Sequence, residues 1–359
     1  MAKIVTRTIS NKLFAQPMAP PDSFKGQKVL VTGGTTGLGL ATAMHVVGLG
    51  AAAVSITCRD AARGEAARKR IVQAAEVAAK KAGGGAAAAE VRVLELDMSV
   101  YSSVVAFADT LKRDFAADGG FDWICLNAGV IDASWSQSPE GWVPTLQVNV
   151  LSTVLLAQLL LPWLKSLRAA RERPAHLTLV GSGVHLHVDV SKWPALAAKS
   201  GGILKHFGAK ENFNGSGLYA VSKLVLQHAL VELARAASDH PAAGSGRPDV
   251  VVNTCCPGMV RTEISRSMKE ESIVVRLGEP LVMALLSQSP EVGARTYLAA
   301  GLTAESENGK FICKYISDKD YEKESVPVLT SETGQKVHKL LWDEIQQELS
   351  SKVPALKQL

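Results

Sequence analysis

Short apolar, β-branched runs alternate with helix-length segments through most of this chain, and that alternation restricts the possible folds more than any other feature. KVLVTG (28–33) reads as a strand and Leu38 to Gly48 as a helix. AVSIT (53–57) is a second strand, followed by an Ala/Glu/Lys-rich helix from Arg63 to Lys81 that Gly83-Gly84-Gly85 stops. VRVLEL (91–96), a helix over 100–115, FDWICLN (121–127) and a long helix over 145–171 continue the pattern, with Pro162 causing at most a bend. HLTLVGS (176–182), a helix over 218–237 and DVVVNTCCPG (249–258) complete six strands. Strands separated by helices imply right-handed crossovers and a parallel sheet. Their continuous apolar character fits a sheet covered on both faces, so the fold class is α/β, a doubly wound parallel sheet in one principal domain.

Composition removes several functional classes. The chain is 47% hydrophobic, enough to fill a substantial core, which excludes disorder as the main state. A net charge of +5 from 39 basic and 34 acidic residues, with no basic cluster interleaved with aromatics, gives no nucleic-acid footprint. Cys58, Cys125, Cys255, Cys256 and Cys313 form an odd, sparse set without CxxC or Cys/His ligand spacing. That argues against a disulfide framework or a zinc site, predicts no metal, and fits a reducing, cytoplasmic setting. Residues 1–25 are mildly basic and read as a flexible arm in preference to a cleaved organellar presequence. The longest apolar run, 154–164, is too short for the roughly 20 residues a membrane span needs.

The sequence Thr32-Gly-Gly-Thr35-Thr-Gly37-Leu38-Gly39 joins the first strand to the first helix. Glycines there let the backbone turn sharply and approach a pyrophosphate, whose charge the helix N-terminus meets. Further landmarks follow in order: Asp97 after strand three, Asn127-Ala-Gly after strand four, Asn149 in the next helix, and Ser182 ending strand five. Tyr219-Ala-Val-Ser-Lys223 and Pro257-Gly258 with Thr262 complete the set. Over roughly residues 26–262 this pattern resembles the short-chain dehydrogenase/reductase family, in particular its retinol-dehydrogenase-like and fungal secondary-metabolite members. The resemblance implies a Rossmann-type nucleotide fold in which Gly33, Thr35, Gly37, Leu38 and Gly39 hold the cofactor. It also implies that Asp97 meets the adenine, that Asn127 lines the cofactor, and that Pro257, Val260 and Thr262 face the nicotinamide end. Asp97 can equally cap the helix that follows Asp-Met-Ser, and the two roles are compatible.

Cofactor choice turns on the end of strand two. A site for NAD(H) wants an acid there, but Cys58-Arg59-Asp60 puts a cation first, where a guanidinium can pair with a 2′-phosphate. Arg63, one turn on, can assist, so NADP(H) is expected over NAD(H). The rival arrangement has Arg59 solvated and Asp60 on the ribose.

Tyr219 and Lys223, four residues apart, share a helix face. A phenol pKa near 10 needs about 4 kcal/mol to approach 7, an order that one nearby ammonium supplies at most. The expectation is therefore a Tyr219 whose pKa Lys223 lowers. By the resemblance, Tyr219 is the proton donor and acceptor, Ser182 holds the substrate oxygen, and Asn149 completes a relay through Lys223; as an amide inside an apolar helix, Asn149 also reads as a packing residue with satisfied partners. Gly181-Ser182-Gly183 lacks a hydrolase elbow, and no Asp-then-His order follows it. His185 and His187 fall on one side if extended, as pocket lining, loop surface or part of a metal pair.

The expected function is NADP(H)-dependent interconversion of a carbonyl and an alcohol. Two other readings are a nucleotide-binding sensor without turnover and a reductase of a conjugated C=C bond. The long stretch 183–218 could fold as a lid over the site. The region 262–300, with Met268, Ile273, Leu277 and the run 281–286, offers apolar surface for a lipophilic substrate or peripheral membrane contact. The core domain is placed at 26–315, and 316–359, with Trp342 and Leu349, reads as a C-terminal extension closing on it. Oligomeric state is left open.

Overall fold

The computed structural model describes residues 15–81, 89–239, 247–261, 287–354 and 356. Seven strands form one sheet in which every pairing is parallel: β1 (Lys28–Val31), β2 (Ala53–Cys58), β3 (Glu90–Glu95), β4 (Trp123–Leu126), β5 (Ala175–Val180), β6 (Val250–Cys255) and β7 (Phe311–Ile312). Their order is β3-β2-β1-β4-β5-β6-β7. The chain winds outward from β1 to one edge, returns, and winds from β4 to the other. A crevice therefore opens beyond the strand C-termini between β1 and β4, the switch point where open α/β sheets bind ligands.

Helices cover both faces, as the continuous apolar strands require. On one face lie α1 (Gly37–Gly48), α2 (Ala61–Lys81) and α8 (Pro290–Ala300), packed over Val29, Val31, Val54 and Ile56. On the other lie α3 (Tyr101–Phe115), α4 (Pro144–Ser166) and α7 (Gly215–Ser238), with Leu30, Ile124, Leu177 and Val252 beneath them. α4 is long and apolar enough to cross a bilayer, yet 89% of its apolar window is buried inside the fold, so it serves as a core helix. It runs through Pro162 and widens to a π-helical turn over Gln147–Ser152, ending at Ser166 before a short 3-10 turn, Arg168–Ala170.

Two expectations need correction. The arm does not extend to residue 25: Phe24 is fully buried, 5.5 Å from the Trp123 ring, and its N–H donates to Leu49 O. Residues 183–218 do not form a lid. They fold into α5 (Trp193–Ser200) and α6 (Ile203–Gly208), which pack against α10 (Glu332–Lys352), and none of them lines the central cleft. Trp193, Ile203 and Leu204 are buried apolar residues that find more area to cover on α10 than over a polar cleft. In place of a conventional N-cap, the Glu344 carboxylate of α10 accepts the N–H groups of Leu204 (3.0 Å) and Lys205 (3.1 Å). In the region 262–300, α8 packs mainly on α1, with Gly293 tight against Leu38 and Val260, and among its residues Tyr297 lines the cleft. Residues 262–286, which carry the remaining apolar substrate candidates, lie outside the described residues, as does the 1–14 part of the arm.

α10 also reaches the rest of the fold. Glu348 accepts from Trp142 Nε1 (2.9 Å) and the Tyr101 hydroxyl (3.2 Å), and His338 Nε2 meets Glu232 of α7 at 2.9 Å. Before it, α9 (Asp318–Ser325) follows the β7 edge.

Candidate active site

A cleft of about 950 Å³ runs across the C-terminal ends of β1 to β6. At its centre the glycine loop turns into α1. Gly33 and Gly37 have φ of +64° and +54°, a region that disfavours side chains. A Cβ at Gly39 would stand 2.5 Å from Gly33 O and 2.6 Å from Asn127 Nδ2, so the loop folds back on itself only with glycine there. Asn127 stitches this turn, donating from Nδ2 to Thr32 O (2.8 Å) and Gly33 O (3.2 Å). Thr36, the residue before α1, makes no side-chain cap. The first N–H groups of α1 therefore open onto the cleft beside Thr35, Leu38 and Gly39, a cradle suited to a pyrophosphate.

The end of the cleft at β2 carries Arg59 and Arg63, both exposed and both lining it. Asp60 lines the same end, with its Oδ1 accepting the Arg63 N–H at 2.7 Å in the first turn of α2. Among the described residues no carboxylate pairs with Arg59. Asp97 lines the cleft after β3 while its Oδ1 accepts from Ser99 N (2.9 Å) and Ser99 Oγ (2.8 Å); it closes this turn and does not cap the next helix, which Val100 precedes without a side-chain cap. Pro257 and Val260 line the opposite end, whereas Thr262 lies outside the described residues.

Ser182, Tyr219 and Lys223 all line this wall despite the long intervening segment, and the Ser182 hydroxyl accepts the Val184 N–H at 3.5 Å. Lys223 is buried on the next turn of α7, its Nζ donating to Val180 O at 2.7 Å and lying 5.5 Å from the centre of the Tyr219 ring. The electrostatics differ from the sequence expectation. Burial pushes the Tyr219 phenol above its ordinary value, with Cys256 adding to the rise and the nearby Ser182 hydroxyl opposing it. Burial also lowers Lys223 from 10.5 to about 8. The ammonium sits over the ring and bonds a carbonyl, so in this chain desolvation outweighs its attraction for the phenolate.

Asn149 stands in the π-helical turn, and both ends of its amide are engaged. Nδ2 donates to Val130 O (2.9 Å) and Ser222 Oγ (3.2 Å), and Oδ1 accepts Val130 N–H (2.8 Å). The amide thus ties the β4 loop to α7 in the packing role, and no direct bond to Lys223 accompanies it. His185 and His187 do not share a side. Gly183–His187 is a 3-10 turn, which turns His185 into the core and leaves His187 exposed. Among the described residues no group of three or more His, Cys, Asp or Glu could hold a metal ion.

Sequence reasoning overlooked Cys256 and Tyr297, both of which line the cleft. Cys256 immediately precedes Pro257-Gly258, a position that was its available signal; Tyr297 arrives from α8 and has none.

A family model described as short chain dehydrogenase matches residues 27–182. Over 345 residues the chain is 32% identical to a short-chain dehydrogenase/reductase of Aspergillus flavipes, covering 96% of this chain and 92% of that one. Its fold is similar to a short chain dehydrogenase from Burkholderia cenocepacia in complex with NADP, with TM-score 0.52 and 23% identity, covering 80% of this chain and 96% of that chain. It is also similar to a short chain dehydrogenase/reductase from Burkholderia phymatum in complex with NAD, with TM-score 0.51 and 21% identity, covering 81% and 89%.

Proposed function

This chain belongs to the short-chain dehydrogenase/reductase family of oxidoreductases, and from that premise we propose that it uses NADP(H) to interconvert a carbonyl and an alcohol on a lipophilic small molecule. The observation that carries the reading is one continuous wall with a helix N-terminus free of a side-chain cap in the middle, Arg59, which no carboxylate among the described residues pairs, at one end, and Ser182, Tyr219 and Lys223 at the other. The nicotinamide cofactor supplies or accepts the hydride.

The chain's own groups do the rest. The α1 N-terminus and glycine loop hold the pyrophosphate, and Arg59 with Arg63 meets the 2′-phosphate. Ser182 donates to the carbonyl oxygen and keeps it against the Tyr219 hydroxyl. Tyr219 gives its proton to that oxygen on reduction and takes it back on oxidation. A phenol held protonated by burial suits the reductive direction. Lys223, near the point of half-ionisation at about 8, can return a proton to Tyr219 from the same helix face. Asn149 fixes the β4 loop against α7 and so sets the wall on which these groups stand. The free cysteines are in keeping with a cytoplasmic setting, and the fungal relative with a place in secondary metabolism.

Tyr219→Phe tests the reading. It should bind NADPH as the wild type does, by fluorescence titration, while NADPH oxidation across lipophilic ketones, aldehydes and quinones falls by about 100-fold or more. Near wild-type turnover would remove Tyr219 as the proton donor. NADPH binding by the wild type with no turnover on the panel would favour the sensor reading.

A further inference from the structure

The peptide unit joining Ser182 to Gly183 is gripped at both ends by side chains that have no part in the chemistry above. Its N–H, on Gly183, donates to the Cys256 sulfur at 3.3 Å, and the same sulfur accepts the Gly258 N–H at 3.4 Å. The Tyr315 hydroxyl meets that sulfur at 3.0 Å and closes over Gly183 so tightly that a Cβ there would collide with it. At the other end, the Ser182 carbonyl lies 2.6 Å from His185 Nδ1, and His185 Nε2 lies 3.1 Å from the Tyr321 hydroxyl. A carbonyl can only accept, so Nδ1 carries the proton and Nε2 accepts from Tyr321. His185 is fully buried, edge-on to Phe311, and Phe311 stacks with Tyr321 at 4.7 Å.

We propose that Cys256 and His185, backed by Tyr315 and Tyr321, are positioning residues that fix the Ser182–Gly183 peptide and thereby aim the Ser182 hydroxyl at the substrate oxygen. Rotating one peptide plane changes ψ of Ser182 and φ of Gly183 together. Glycine has the freedom to let that plane rotate, so the site needs an external brace. Both donor–acceptor ends of the plane are engaged, which leaves it no second orientation that keeps its bonds. The sulfur also couples the loop after β6, which lines the nicotinamide end of the cleft, to the turn after β5 that bears Ser182. Tyr315 and Tyr321 both come from the chain just beyond β7, which gives that two-residue edge strand a purpose in the reaction. Sulfur rather than oxygen suits the task because its longer bonds reach two N–H groups and a hydroxyl across contacts of 3.0 to 3.4 Å.

The proposal rests on the carbonyl-reductase reading for its kinetic consequence but not for its structural one, and the test separates them. Cys256→Ala and Tyr315→Phe are compared with Ser182→Ala and with the Cys256→Ala/Ser182→Ala double variant, using NADPH and the carbonyl of the panel that turns over fastest. Cys256→Ala, which removes all three contacts of the sulfur, should lower kcat about tenfold, with NADPH Kd within about twofold of wild type, and Tyr315→Phe, which removes one of them, should lower it about threefold. In the Ser182→Ala background the Cys256→Ala effect should vanish, because a brace acting through Ser182 has nothing left to aim. Multiplicative losses in the double variant would overturn the proposal. Independently of turnover, the Gly183 amide should exchange with solvent deuterium about tenfold faster in Cys256→Ala. Unchanged exchange would sink the brace even if kcat fell. If exchange quickens while Ser182→Ala and Tyr219→Phe leave turnover intact, the brace stands and the carbonyl-reductase reading falls.

Discussion

Burying Lys223 as the structure does should make the wild-type protein less stable at neutral pH than in mild alkali, and the size of that effect follows from its proton affinity. The folded chain holds Lys223 at about 8 against 10.5 when exposed. Between those values the unfolded chain binds a proton that the folded chain has released, so stability rises with pH across the window. Below the folded value both states are protonated, and the folded state carries the whole cost. At about 1.4 kcal/mol per decade of proton affinity, the cost near pH 7.5 is about 3 kcal/mol. Of that, about 2 kcal/mol should be recovered by pH 9.5. Urea unfolding of the cofactor-free protein and of Lys223→Met, each from pH 7.5 to 9.5, isolates the effect. The cysteines are common to both proteins and cancel in the difference. The donor lost from Val180 O adds an offset that does not depend on pH. The wild-type-minus-variant difference should therefore climb by about 2 kcal/mol over the window. A flat difference would show that Lys223 keeps its ordinary proton affinity, and a falling one that a partner raises it; either would undo the account of the site in which burial dominates.

Arg59→Ala should raise the Kd for NADPH about 10- to 100-fold, the worth of a charge-assisted pair, while leaving that for NADH within about twofold; equal losses for both cofactors, measured by titration calorimetry, would refute its pairing with the 2′-phosphate. Glu344→Ala should quicken amide exchange at Leu204 and Lys205 about tenfold. Global stability should change less, because burial holds the Glu344 carboxyl above its ordinary value and removing it relieves that cost.

Most of the sheet was legible because six of its strands are short, mainly apolar and β-branched runs set between helix-length segments, even where a polar residue such as Arg92 in β3 or Asn253 in β6 interrupts them. β7 was not legible, since Phe311–Ile312 is two residues long and exists only through its pairing with β6. The site divides the same way. Tyr219, Lys223, Ser182 and the glycine loop announced themselves by spacing and by their places at element ends. The protonation of Tyr219 and Lys223 did not, because it depends on how much water the fold removes, a property of neighbours distant in sequence such as Cys256 and Val180. Asn149 reads equally as part of a water-mediated relay or as a packing amide, and only the fold shows which partners, Val130 and Ser222, its amide holds. The segment 183–218 looked like a lid because the helix it covers, α10, lies more than a hundred residues further along the chain.

The reach of α10 gives the protein a timetable. At about 5–20 residues per second, on the order of ten seconds of translation separate the emergence of Tyr219 from that of Glu344. During that interval the ribosome holds a chain whose first strands and helices can already assemble, but whose α6 and α7 lack the clasp made by Glu344 and His338. The crevice at β1 and β4 can thus form before the helix bearing Tyr219 and Lys223 is locked by α10.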